Sequence, residues 1–196
     1  MSDLRPVLYV VGILLCLTSS LMILPMVVDL FYYNDDWQVF LLTGMLTFFI
    51  GLILIFSFKN LNKKISAKQA FLLTVISWLV ISIFCAIPFI YSESQLSFTN
   101  AFFESTSGIT TTGATVITGL DSLPKGILLW RSLLQWFGGI GIIVLALLLL
   151  PMLQVGGMQI FHLESEDPYE KTFPKISKFV IEIAFLYLVL TLICAV

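Results

Sequence analysis

The chain of 196 residues is 59% hydrophobic and 11% charged, with a formal net charge of −2 and a mean hydropathy of +1.03. Soluble domains run at about 45–50% apolar and about 25% charged, and a small chain cannot hide such a surplus inside itself. The composition excludes a water-soluble enzyme, a nucleic-acid binder and a disordered chain, and it leaves an all-α integral membrane protein or part of one.

The charges fall in clusters separated by neutral runs. Val7–Val28 carries no charge over 22 residues, Val39–Phe58 over 20, Gln69–Ser92 over 24 and Ser132–Leu163 over 32. A hydrocarbon core of about 30 Å takes about 20 helical residues, so each run predicts a span. The first run exceeds the apolar region of a secretory signal, about 7–15 residues, and predicts a retained span. Phe179–Val196 begins a fifth run that holds Glu182 and stops after 18 residues without a polar flank, as an interrupted span would. Cys16, Cys85 and Cys194 lie in these runs with no paired spacing. They are predicted as small buried hydrophobes, with no disulfide framework.

Lysine placement orients the spans. Lys59, Lys63, Lys64 and Lys68 share a link with no acid, whereas Asp29, Asp35 and Asp36 share the preceding link with no base. The positive-inside rule puts the lysine link and the N-terminus in the cytoplasm. Lys171, Lys175 and Lys178 then return to the same side after the fourth span.

Between the third and fourth spans lies an unusual outer segment. Ser97–Ile109 puts Phe98, Ala101, Phe102, Ser105 and Ile109 on one helical face, and Asn100, Glu104, Ser107 and Thr111 on another. Ser97, Thr99 and Asn100 offer capping oxygens, and Gly108 offers a stop. Such a helix reaches about 18 Å, only partway through a bilayer. Thr110-Thr111-Thr112-Gly113-Ala114-Thr115 follows it. From these residues alone two readings stay open: an outer Thr/Gly-rich turn, or a re-entrant segment presenting carbonyls to a dehydrated cation.

Single residues add expectations. Glu104 on the polar face of the short helix and Arg131 in the fourth span predict an ion pair clamping the two helices; the alternative is that Arg131 snorkels to the interface. Gly138, Gly139 and Gly141 predict close helix packing or bending. Asp29 is expected to be a wet interfacial residue, and Tyr91, Trp130 and Trp136 to be interface anchors. His162 is expected in a solvated internal loop, and Glu164–Lys178 is the longest polar patch. No nucleophile, acid–base pair or metal-ligand spacing suggests catalysis.

The runs FFESTSGITTTGAT at Phe102–Thr115 and GLDSLPKGILLWRSLLQWFGGIGIIVLALLLLPMLQVGGMQ at Gly119–Gln159 are similar to the Trk/Ktr potassium-uptake superfamily, and within it to the TrkH/TrkG membrane subunits. The resemblance covers nearly the whole chain. It implies a bacterial inner-membrane pore of four linked helix–pore helix–helix units around a pseudo-fourfold axis, conducting K+ passively or by symport. Residues 1–68 would be two leading transmembrane helices and their cytoplasmic link. Residues 69–160 would be the first pore repeat, with outer helix 70–91, pore helix 97–109, filter 110–115 and inner helix 128–150. Residues 161–178 would be a cytoplasmic loop, and 179–196 the start of the next unit.

The resemblance further implies that backbone carbonyls of Thr111 and Thr112 bind K+, with Thr110 and Gly113 adjoining and the glycine favouring K+ over Na+. It implies a TrkA-type cytosolic nucleotide-binding regulatory subunit as partner, reached through the polar patch. Because only the first repeat is complete, the chain is expected to be a fragment, a truncated product, or a homo-oligomer.

Overall fold

The computed structural model describes residues 4–59, 67–152 and 168–195. Among these the chain is all-helical, and four helical stretches are long and apolar enough to cross a membrane: Arg5–Phe31, Trp37–Phe58, Lys68–Tyr91 and Lys125–Ile143. Two compact units divide it, Met1–Gly139 and Ile140–Val196.

The first apolar run is not one straight helix. It forms α1 (Arg5–Leu21) and α2 (Ile23–Phe31), broken at Met22. Pro25 lacks an N–H and its ring conflicts with the carbonyl four residues back, at Leu21. The preceding turn is loosened as well, since Ser19 and Ser20 both donate hydroxyls to the Cys16 carbonyl. Helix α3 (Trp37–Phe58) returns antiparallel to α1. Small residues set that approach: a Cβ at Gly12 would lie 2.8 Å from the Gly51 carbonyl oxygen, and one at Gly51 would lie 2.7 Å from Cys16 Sγ.

Helix α4 (Ala67–Tyr91) starts ahead of the expected residue 70 and contains Pro88 near its end. Val7, Val11 and Leu15 of α1 form one core, covered by Ile50, Leu54, Leu73, Ile76, Val80 and Phe84 from α3 and α4. The short helix expected over 97–109 is α5 (Phe98–Ile109), with Ser97 outside it as the cap that accepts the Asn100 N–H at 3.4 Å. A 3-10 turn (Leu120–Ser122) then leads into α6 (Lys125–Met152). The expected start at Leu128 is corrected to Lys125, because the Leu128 N–H closes on the Pro124 carbonyl and makes Pro124 the cap.

A second core joins the leading helices to the later ones. Met22, Phe40, Cys85, Phe89, Ala101, Ile127, Trp130 and Leu134 are all buried in it. Trp130 corrects its expected role as an interface anchor. It is fully buried, donates Nε1–H to the Cys85 carbonyl at 3.1 Å, and meets Phe40 edge to face at 6.1 Å. Tyr91, by contrast, is 71% exposed. Cys85 is buried as expected, whereas Cys16 is half-buried and Cys194 exposed.

The second unit carries α7 (Pro168–Ala195). The loop expected over 161–178 is therefore helical from residue 168, eleven residues before the expected start at 179. Its apolar part, Ile181–Cys194, is shorter than the four spanning stretches. Lys63, Lys64, His162 and residues 164–167 lie outside the described residues.

Candidate functional site

The end of α5 carries an unusual backbone. Gly108 does not stop the helix, which runs on to Ile109; its missing side chain instead admits Leu134, whose Cβ would stand 3.0 Å from a Cβ there. The stop comes two residues later. The Thr111 N–H bonds to the Gly108 carbonyl and the Thr112 N–H to the Ser107 carbonyl, both at 3.0 Å. This is a Schellman termination, whose left-handed position is ordinarily glycine. Here it is Thr111, at φ +58°. A β-branched residue in that region is a genuine outlier. Gly113, at φ +75°, makes the second reversal two residues on.

The chain then turns back along α5. Ser107 Oγ donates to the Ala114 carbonyl at 2.6 Å, and the Thr110 and Thr112 hydroxyls meet at 2.8 Å. Thr111, Thr112 and Gly113 are exposed and Thr110 is half-buried, so the four expected site residues stand on one accessible stretch. Among the described residues no cluster of three His, Cys, Asp or Glu groups could hold a metal ion. The oxygens this stretch offers are carbonyls and hydroxyls.

Behind the stretch stands Glu104, 2% exposed. Its Oε1 accepts the Thr115 hydroxyl at 2.5 Å, the Val116 N–H at 2.6 Å and the Ile117 N–H at 3.3 Å. Its Oε2 pairs with Arg131 Nε of α6 at 3.0 Å. The ion pair between these two helices is therefore present, and the same carboxylate also ties down the returning segment. Ser105 Oγ donates to the Ser82 carbonyl of α4 at 2.7 Å, fixing a second face of α5. Gly138 is buried against the last turn of α5, where any Cβ would overlap the Ile109 carbonyl.

Two acids outside this stretch are buried on main-chain partners. Asp29, expected to be wet, is fully buried in the last turn of α2. Its Oδ1 accepts the Gly126 N–H of α6 at 2.7 Å, across 97 residues of chain. Asp36 is 5% exposed, and both its oxygens lie 3.2 Å from the Glu93 N–H that follows α4. Burial pushes the Asp36 carboxyl above the ordinary carboxylate range; the Glu93 N–H opposes this, while the Glu93 and Asp35 charges add to it. No spacing rule announces either contact, because each partner is a backbone N–H.

Residues 36–196 match the TrkH family of cation transport proteins. The chain is 44% identical over 194 residues to the Trk system potassium uptake protein TrkH of Salmonella typhimurium, covering 97% of this chain and 40% of that protein. It is 40% identical over 170 residues to the Trk system potassium uptake protein TrkG of Escherichia coli K12, covering 86% of this chain and 35% of that one. The crystal structure of the potassium transporter TrkH from Vibrio parahaemolyticus matches with a TM-score of 0.83 at 38% identity, over 97% of this chain and 38% of that chain. The chain spans about two fifths of the length of these relatives, which are potassium uptake proteins and not enzymes. With most of its length matched by the family, and its helices superposing on a solved member, the chain belongs to the TrkH cation transport family.

Proposed function

We propose that this chain is part of the pore-forming subunit of a Trk-type potassium uptake system, and that residues 110–115 are one strand of its selectivity filter. In this reading K+ is the transported ion, held by the backbone carbonyls of Thr111 and Thr112, with Thr110 and Gly113 adjoining. The carrying observation is the pair of left-handed residues, Thr111 and Gly113, in an exposed stretch tethered from behind by Glu104. In ordinary extended chain, successive carbonyls point to opposite sides. Reversing φ at alternate residues rotates the peptide planes so that carbonyls share a side, and such rows replace the hydration shell of K+. Helix α5 also aims its C-terminal, partially negative end at the start of the stretch, which favours a cation.

One strand does not enclose an ion; further strands complete the ring, from later repeats or from other copies of the chain. The protein sits in the bacterial inner membrane with its N-terminus and the Lys59 and Lys68 link inside. The ends joined by the Asp29–Gly126 and Asp36–Glu93 contacts face outward. The cytoplasmic residues 161–178 meet a TrkA-type regulatory subunit.

The test is growth of an uptake-deficient bacterium on limiting K+, with this chain supplied alone or joined to the later repeats of a TrkH relative. Growth in either arm, abolished by Gly113→Asp, is the expected result. The first arm assigns the missing strands to copies of the chain, the second to later repeats. No growth in both arms with the protein present in the membrane, or growth indifferent to Gly113→Asp, overturns the reading.

A further inference from the structure

We propose that Asp29 is a positioning residue: from the leading helix pair it holds the outer end of α6 and, through α6, sets the place of the strand after α5. Its effect on permeation rests on the filter reading above, whereas the positioning itself does not.

The first N–H groups of a helix have no partner within it and carry a partial positive charge. Gly126 is the second residue of α6, and its N–H is taken by a carboxylate from α2 at 2.7 Å. The seat is specific. Asp29 is 0% exposed, and its carboxylate occupies the space in which any Cβ at residue 126 would stand. Its second oxygen, Oδ2, is buried without a hydrogen-bond partner. A carboxylate buried on one hydrogen bond is costly. General stabilisation is therefore a poor account of this placement, and orientation of α6 a better one.

A physical line leads inward from this contact. Ile127 and Trp130, the next inward-facing residues of α6, are fully buried against a core that includes Met22 and Phe40 of the leading helices. The first turns of α6 are thus held to α2 and α3 in both height and rotation. Arg131 lies about 7.5 Å beyond Gly126 along the axis, at 1.5 Å per residue. It pairs with Glu104, whose other oxygen takes the Val116 and Ile117 N–H groups. Asp29, α6, Arg131, Glu104 and the returning strand form one continuous chain of contacts. The leading pair, lying outside the helix–short helix–helix unit, thereby takes part in holding the strand.

Amide hydrogen exchange on the full chain in lipid nanodiscs tests this without requiring conduction. Asp29→Ala removes the acceptor, Gly126→Ala fills the seat, and Asp29→Asn keeps an oxygen for the Gly126 N–H. Both alanine variants are expected to speed exchange at residue 126, Val116 and Ile117 by up to about tenfold, as for loss of one hydrogen bond. Amides of Val11 and Leu15 in α1 should not change, Asp29→Asn should stay near wild type, and the double alanine variant should be no faster than either single one. Faster exchange at residue 126 alone overturns the coupling. Uniform acceleration that includes α1 reduces Asp29 to a stabilising residue and overturns it too, as does Asp29→Asn behaving like Asp29→Ala.

Discussion

Gly138 backs onto the carbonyl of Ile109, so that α6 supports the last residue of α5 with no side chain between them. Gly138→Ala cannot be seated without pushing the end of α5, and with it Thr110 and Thr111, away from α6. Overpacking of this kind costs about 1–3 kcal/mol. The control is Gly44→Ala on α3, where a Cβ would meet Met22 and Ser19 at ordinary distances of 3.7 Å. There the gain in helix propensity predicts neutrality or stabilisation of about 0.5–1 kcal/mol. Thermal unfolding of both variants in detergent checks the contrast; equal effects would show that α5 yields freely.

Glu104 serves the Thr115 hydroxyl, two backbone N–H groups and Arg131 at once, whereas the described contact of Arg131 is with Glu104. The two truncations should therefore differ. Glu104→Ala strands several part-buried donors and is expected to cost about 3 kcal/mol, the low end for breaking a buried pair, since the Arg131 side chain keeps 17% exposure. Arg131→Ala leaves the strand tethered and should cost less. Exchanging the two charges should fail to restore what either single reversal loses, because an arginine at 104 has no acceptor for the Val116 and Ile117 N–H groups. Restoration by the exchange would mean that the ion pair alone matters.

The contrast between legible and illegible contacts has a physical basis. Glu104 and Arg131 stand out in sequence because ionised groups in apolar surroundings must find each other, and α5 stands out because Ser97 and an amphipathic face mark it. Residue type assigns Asp29 and Trp130 to the interface, yet both are buried, each on a main-chain partner, Gly126 N–H and the Cys85 carbonyl. Main-chain groups occur at every position, so their pairing leaves no trace in residue type. The break at Met22 was hidden for a related reason: hydropathy is continuous across it, and only the missing N–H of Pro25 marks the place. The left-handed turn at Thr111 runs against residue preference altogether, since glycine is the residue that ordinarily marks such a turn.

Asp36 predicts a pH dependence with a definite sign. Burial raises its carboxyl in the folded chain above the ordinary value it has when unfolded. The folded state therefore holds this proton more tightly, and stability falls as pH rises from the ordinary value through the raised one. The cost is fully present above the folded value and is relieved as pH is lowered toward the unfolded one. Asp36→Asn keeps an oxygen for the Glu93 N–H and removes the titration. Its advantage in melting temperature over the wild type should be greatest near neutral pH and shrink toward about pH 4, where an ordinary aspartate takes up its proton. A pH-independent gap between the two would contradict the burial effect.

Thr111→Gly separates stability from function at the end of α5. Threonine at φ +58° occupies a conformation that costs an L-residue about 1–2 kcal/mol, and glycine adopts it without that penalty. Glycine also loses more backbone freedom on folding, which offsets part of the gain, so the net expectation is neutrality to about 1 kcal/mol of stabilisation. A residue kept at such a cost where glycine would serve the turn equally well points to a requirement beyond folding. In the filter reading that requirement is stiffness, because a β-branched residue confines the peptide planes on either side of it. The variant should therefore melt no lower than wild type, yet show weaker discrimination of K+ from Na+ when joined to the later repeats of a TrkH relative and assayed by ion flux. Unchanged discrimination in the variant would leave the strain at Thr111 unexplained by ion selection.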